Sequence, residues 1–384
     1  MKIAIVIEKV DLHGGQNRVI AELSRRLATR HEVHIYCFEA ADVHPDVKVH
    51  IMRCPLRHRE IMQEIFIPIA SRLSLNPRNF DVVLAQGGNC FVANATLVHT
   101  SQAELAAVKE LAFAGQPNMP GWERIIRNRW QRAALRNEGR VVKKCRGAVM
   151  TVSEQLRRSL IGQYDLAEDE IFASPNGVDH ERFNLSVREK YRESLRAEVG
   201  IAEDDFVALF MGACWLEKGL DRLLAAASLL ERPDLHLLVV GKGEPASVAH
   251  LVPDGWGQRV HFTGPQQPEP YFAASDCFVF PTRVEGFGLV MAEAAACGLP
   301  LIVTPAGVGP ELVEQGVSGY LVGQAEDEDA EFAVARDIAR HIEQLASGRQ
   351  AASRMGLAAR EKSLAFTWER QAEVVEQVLR QFAT

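Results

Sequence analysis

Glu285 and Glu293 stand eight residues apart in the stretch Cys277–Gly298, C-F-V-F-P-T-R-V-E-G-F-G-L-V-M-A-E-A-A-A-C-G. A carboxylate only accepts hydrogen bonds and can take two at once, so it suits vicinal hydroxyls. Between the two lie Gly286, Phe287, Gly288 and Leu289. A glycine loop opening a helix aims backbone N–H groups and a positive helix end at an anion. At a rise of ~1.5 Å per residue, Glu293 falls several ångströms beyond that cradle. A nucleotide diphosphate-sugar has this layout, with hydroxyls at both ends and a diphosphate between them. A loop glutamate and an ion-paired helix glutamate are the bland alternative.

Three other places could do related chemistry. Lys218, in G-A-C-W-L-E-K-G-L-D, stands just before a helix and could place a point charge on a leaving phosphate. Gly14 and Gly15 feed another helix start, an anion-friendly turn or simply a tight one. His99 ends an apolar run, and the C-terminal ends of strands are where open α/β sheets bind ligands. G-K-G-E-P-A at 241–246 matches a dinucleotide-binding pattern, yet no acidic residue follows at 260–266 to hold a ribose.

The elements that must position these residues alternate. Short apolar runs at 3–7, 33–38, 47–52, 81–85, 96–99, 148–152, 206–211, 235–240, 260–263, 277–280, 301–304 and 319–322 read as strands separated by helical or irregular segments. That predicts an α/β protein with mostly parallel sheets. Val19, Ile20, Leu23 and Leu27 form a helical stripe after Gly14–Gly15, and Leu289–Ala296 reads as a buried helix. Trp368, Ala372, Val375, Leu379 and Phe382 make an amphipathic helix at the end. At 384 residues the chain fits two domains, placed at 1–185 and 186–365, with 366–384 as a terminal helix.

Composition narrows the class. Hydrophobic residues at 47% and charged residues at 24% are ordinary for a globular protein. The seven cysteines form no C-x-x-C, and no metal-ligand cluster stands out, so neither a metal nor another cofactor is expected. The acidic run Glu326–Asp329 reads as a solvated loop. No run reaches the ~18–20 apolar residues of a membrane span, and the start does not read as a signal peptide. A cytoplasmic protein is expected. The net charge of −7 is uneven: residues 1–185 hold 25 basic against 21 acidic residues. Nine of the basic ones lie at 122–146, with Arg124, Arg127, Arg132, Arg136, Arg140 and Lys143 on one helical face. This is a solvated helix, or a patch for an anionic membrane surface or an anionic acceptor. Nucleic acid is discounted because no binding motif accompanies it. Ile61–Leu75 reads as a loop for an acceptor.

E-G-F-G-L-V-M-A-E resembles the E-x7-E signature of retaining GT-B glycosyltransferases of family 4. V-S-E … P-N-G-V-D-H-E-R-F resembles that family's domain boundary, and T-L-V-H-T its strand-end histidine. The resemblance runs over nearly the whole chain. It implies two Rossmann-like domains with a cleft between them and a last helix crossing back to the first. It implies transfer, with retention, of a hexose from a nucleotide-diphosphate sugar, UDP favoured, to a glycan or glycolipid. His99, Lys218 and Glu285 would be catalytic. Gly14, Gly15, Gly286, Phe287, Gly288, Leu289 and Glu293 would bind the donor. The family usually has an arginine where this chain has Ala213. The first half resembles the lipopolysaccharide-core glucosyltransferases, which implies peripheral attachment at the inner face of a membrane. A nicotinamide-dependent oxidoreductase, a GT-B sugar-nucleotide epimerase and a non-catalytic scaffold are the alternative classes.

Overall fold

A computed structural model describes residues 1–53, 60–114, 121–323 and 330–383. Strands in the first part run β1 Lys2–Val6, β2 Glu32–Cys37, β3 Lys48–Ile51, β4 Val82–Gln86, β5 Ala95–Val98, β6 Val149–Thr151 and β7 Ile171–Ala173. They form one sheet in the order β3-β2-β1-β4-β5-β6-β7, every pair parallel. In the second part come β8 Phe206–Met211, β9 Leu235–Val240, β10 Val260–Gly264, β11 Cys277–Phe280, β12 Leu301–Val303 and β13 Gly319–Leu321. Their order is β10-β9-β8-β11-β12-β13, again all parallel. Strands covered on both faces read as continuous apolar runs, and Ile3–Val6 and Val207–Phe210 are accordingly inaccessible to solvent.

The first unit is Met1–Gly177 with Thr367–Thr384, and the second is Val178–Phe366. The division thus precedes the 185/186 boundary expected above. The reason is local: the Val178 N–H donates to Phe366 O at 3.1 Å, and His180 Nε2 lies 3.2 Å from the same carbonyl.

Helices in the first unit include α1 Gly15–Ala28, α2 Glu60–Ser74, α3 Gln102–Ala114, α4 Gly121–Lys144 and α5 Glu154–Tyr164. In the second, α6 Leu220–Ala227 follows β8 and α7 Leu289–Ala296 follows β11. The last helix, α8 Trp368–Phe382, belongs to the first unit and packs on α1. Its buried stripe of Trp368, Ala372, Val375 and Leu379 is the one read from the spacing. Thr367 caps it, accepting from the Arg370 N–H at 3.1 Å. Two segments differ from expectation. Residues 61–74, read as an acceptor loop, are helical, with Pro68 inside the helix. On α4, Arg132, Arg136, Arg140 and Lys143 are exposed together with Arg129, but Arg127 is partly buried. The side chain of Arg124 and the run Glu326–Asp329 fall outside the described residues.

Gly177 sits against the start of α8: a Cβ there would lie 2.1 Å from the Trp368 nitrogen. Overpacking of this kind costs about 1–3 kcal/mol. Gly177→Ala should therefore lower the thermal midpoint by several degrees and make 367–384 the first site of limited proteolysis, read by mass spectrometry of the fragments.

Candidate functional site

In the second unit the sheet reverses its winding between β8 and β11, the two strands from which the chain winds outward in opposite directions. Ligand crevices in open α/β sheets form at such points, outside the carboxyl ends of the strands. The loops leaving those ends carry Lys218 and Glu285. Lys218 follows β8 and is held by a turn, its N–H donating to Cys214 O at 3.1 Å. Glu285 follows β11, in a loop stitched down by hydroxyls. Thr282 donates to Val284 O at 2.8 Å, Thr304 donates to Thr282 O at 2.6 Å, and the Arg283 N–H donates to Glu217 O at 2.9 Å.

The two side chains meet. Lys218 Nζ donates to Glu285 Oε2 at 2.9 Å and to Val284 O at 3.1 Å. Glu285 Oε1 accepts from the Gly286 N–H at 3.1 Å. Both side chains are mostly buried, so the pair is far less screened than a surface ion pair. Gly288 caps α7 with φ +85°, and the N–H groups of the first helical turn have no intrahelical acceptors. Phe287 is buried and its carbonyl accepts from the Val308 N–H at 2.7 Å. Leu289 is the first helical residue. Glu293 lies one turn on, 5% exposed, close enough to Arg182 to favour the charge of that guanidinium. Thus Lys218, Glu285, Gly286, Phe287, Gly288, Leu289 and Glu293 all sit around one strand-end loop and one helix start.

Two glycines make room for Glu285. A Cβ on Gly288 would lie 3.1 Å from Glu285 Cγ and 2.2 Å from Met291 Cε. A Cβ on Gly307, where φ is +57°, would lie 3.0 Å from the same Cγ and 2.3 Å from Phe287 O. The G-K-G turn after β9 serves packing: a Cβ on Gly241 or Gly243 would strike Gly212 O at 2.1 Å or the Trp215 ring at 2.3 Å. Arg222, the nearest arginine to Ala213 in sequence, bonds Glu331 and Pro281 O, and Arg283 bonds Asp221 and Glu331, so neither is free to replace a cation at Ala213.

His99, Gly14 and Gly15 lie in the first unit. The sheet there reverses between β1 and β4, and a cavity of about 260 Å³ opens at those strand ends. Its walls include Glu8, Gln16, Asn17, Gln86, His99 and Glu138. His99 Nε2 lies 2.7 Å from Gln86 Oε1, an atom that only accepts, so the ring carries its proton on Nε2. Burial pushes His99 down to about 3, which keeps the imidazole neutral. The Gly14–Gly15 turn leads into α1, whose first residue is Gly15. Asp11 Oδ1 already accepts from the N–H groups of His13 at 2.9 Å and Gly14 at 3.1 Å. Although desolvation acts to raise it, these bonds and the Lys9 ammonium hold the Asp11 carboxyl below its usual value.

Asp11, Gln86, Glu138 and the role of Gly307 do not stand out in the residue order. Asp11 carries a signal, an aspartate placed to cap the turn that follows it. Glu138 carries one too: it shares the buried stripe of α4 with Ala134, Val141 and Val142. Its carboxyl is 1% exposed and accepts from Tyr164 Oη at 2.6 Å and from the Gln102 N–H at 3.2 Å. Burial pushes it up to about 7. Among the described residues no group of three or more His, Cys, Asp or Glu could hold a metal ion, and no helix is long and apolar enough to cross a membrane.

Two parallel-stranded units with strand-end sites of this kind make the fold GT-B. Residues 13–182 match the family described as Glycosyltransferase Family 4, and residues 205–344 match Glycosyl transferases group 1. A D-inositol 3-phosphate glycosyltransferase from Actinosynnema mirum is 30% identical over 84% of this chain and 83% of its own length. The crystal structure of WaaG, a glycosyltransferase involved in lipopolysaccharide biosynthesis, superposes with a TM-score of 0.74 at 19% identity, over 97% of this chain and 99% of that one. Anabaena HepE in complex with UDP-glucose gives 0.71 at 19% identity, over 99% and 100%. The chain belongs to the family 4 glycosyltransferases and is a glycosyltransferase enzyme.

Two outcomes follow from the geometry. Gly307→Ala should displace the Glu285 stem or the Phe287 carbonyl, lowering kcat/KM for any donor by at least tenfold while circular dichroism stays native. Glu138 has a folded pKa above its unfolded value of 4.5. Its burial therefore costs stability progressively as pH rises from about 4.5 to about 7, at ~1.4 kcal/mol for each pH step of one. The thermal midpoint of Glu138→Gln relative to wild type should rise across that window and level off above it. A flat difference from pH 5 to 8 would contradict this.

Proposed function

We propose that the enzyme moves a hexose from a UDP-sugar, with retention of configuration and without a metal ion, to a glycan or glycolipid acceptor. The observation that carries the reading is the Lys218–Glu285 pair beside the start of α7. On this reading Glu285 accepts from hydroxyls of the transferred sugar and Glu293 from those of the ribose. The diphosphate lies between them, against the N–H groups of Gly288 and Leu289. Lys218 then turns its charge from Glu285 to the leaving phosphate. The helix end adds about half a positive charge. As the glycosidic bond breaks, negative charge builds on the departing diphosphate, and these fixed donors stabilise it. The incoming hydroxyl attacks the same face of the sugar and gives up its proton toward the departing phosphate oxygen. The likeness to HepE, whose structure contains UDP-glucose, supports a uridine nucleotide. The acceptor is held on the first unit, where His99 contributes as a neutral hydrogen-bonding ring. The exposed stripe of Arg129, Arg132, Arg136, Arg140 and Lys143 on α4 gives that unit a face suited to anionic lipid.

Thermal-shift measurements with UDP-, GDP- and ADP-sugars, followed by mass spectrometry of products, test the donor. UDP-sugars should stabilise the protein most, and NAD should not. Lys218→Ala should lower kcat by about 10²-fold, the size expected for losing one fixed donor at a charged transition state, and excess EDTA should leave the rate unchanged. A metal requirement or stabilisation by NAD alone would overturn the reading. Vesicles with anionic lipid should pellet the protein at low salt and release it at high salt, and a fourfold Arg→Gln variant of α4 should not pellet.

A further inference from the structure

A further cavity lies at the other end of the second unit's sheet. It holds about 330 Å³, a volume that suits a small ligand. Phe206 opens β8, Asp276 precedes β11 and Pro300 precedes β12, and all three line it. Lys218 and Glu285 follow the opposite, carboxyl ends of β8 and β11. At ~3.3 Å per residue, the six residues of β8 put roughly 20 Å between the two ends of the sheet.

Arginines gather at this end. Arg188, Arg192 and Arg196 recur every four residues along the helix Ser186–Val199, so they share a face, and that face turns on Asp276. Arg192 Nη2 donates to Asp276 Oδ1 at 3.0 Å, Arg196 Nη2 to Oδ2 at 2.8 Å and the Val207 N–H to Oδ2 at 2.9 Å. Both of these arginines are buried, backbone carbonyls hold them further, and Glu203 also pairs with Arg192. Arg188 comes third. Its Nη2 lies 3.4 Å from Asp276 Oδ1, its Nη1 donates to Ser275 O at 3.2 Å, and 49% of its side chain stays exposed. Burial, and then the Arg192 charge, hold its guanidinium below its ordinary value. Of three cations served by Asp276 and Glu203, Arg188 has the longest and most exposed contact.

Arg349 reaches the same cavity from the first residue of the helix Arg349–Ser363. It donates to a carbonyl, Asp204 O, and its guanidinium carbon lies 5.5 Å from the centre of the Phe206 ring. Arg188 and Arg349 both stand in the first turn of a helix, where a cation meets the positive helix end and is disfavoured. An anion between them offsets both arrangements. The rest of the wall is apolar. Leu299 and Ala352 are buried in it, and Leu185 and Leu357 are exposed beside the arginines. Two glycines fit these parts together: a Cβ on Gly356 would lie 1.9 Å from Gly298 O, and one on Gly298 would lie 2.6 Å from Leu185 Cδ2. Exposed leucines next to incompletely paired guanidiniums match a molecule with one apolar part and one acidic part.

We propose that this cavity binds a small amphipathic anion, its acid group between Arg188 and Arg349 and its apolar body against Leu185, Leu299 and Leu357. The site is separate from the strand-end loops of Lys218 and Glu285 and uses neither residue.

Isothermal titration calorimetry on the full chain tests this. The probes are hexyl phosphate and hexanoate, which differ in the acid group, set against 1-hexanol and inorganic phosphate, which each lack one half. At least one of the two amphipathic anions should bind at a single site, at least tenfold more tightly than 1-hexanol or phosphate. The double variant Arg188→Gln/Arg349→Gln should weaken it at least tenfold. Leu357→Asp places a carboxylate beside the arginines at an exposed position, so it should weaken binding equally while the thermal midpoint stays that of the wild type. Lys218→Ala should leave the affinity unchanged. Equal binding of 1-hexanol or of inorganic phosphate overturns the inference, as does unchanged affinity in either cavity variant. Loss of binding in Lys218→Ala places the anion at the other end of the sheet and overturns it too. So does failure of both amphipathic anions to bind at millimolar concentration.

Discussion

Parallel strands cannot be joined by hairpins, and each connection must cross the sheet and return on the same end. Both sheets of this protein start in the middle, wind outward in one direction, then go back and wind outward in the other. Two neighbouring central strands therefore send their following loops apart, and a crevice opens where they separate. In the second unit these are β8 and β11, whose loops deliver Lys218 and Glu285. In the first they are β1 and β4, whose ends deliver Glu8 and Gln86. The chemistry of each unit gathers at that point because two loops leave the sheet there with room between them.

The two crevices differ in their charged groups. That of the second unit keeps a cation available. Lys218 is balanced by Glu285 at 2.9 Å, so neither charge is left isolated in a mostly buried place. Glu285 can hold this place because neither Gly288 nor Gly307 has a side chain to displace it. In the first unit the carboxyl of Asp11 braces the turn ahead of α1, and that of Glu138 takes the N–H of the first residue of α3.

Much of this is legible from residue order. The strands at 206–211, 235–240 and 277–280, the helix at 289–296 and the apolar stripe of α8 follow from local hydrophobic runs and spacing, which depend on nearest neighbours. The segment 61–74 misleads because Pro68 and scattered apolar residues hide a helical pattern that packing against α4 enforces. Glu138 is hidden by its setting, one acid in a strongly basic helix, where composition points outward and only the buried positions on either side point in.

By itself the sequence determined the alternation of strands and helices, the glutamate pair with its glycine loop, and the membership of a transferase family, because those rest on residue types at short separations. Only the tertiary structure decided which polar groups meet. That Lys218 faces Glu285, that the carboxyl of Asp11 fills the turn at Gly14, and that Gln86 accepts from His99 while Glu138 takes the first N–H of α3 all depend on contacts made as the chain folds. Such contacts arise from how helices and loops settle on a sheet, and no local pattern encodes them.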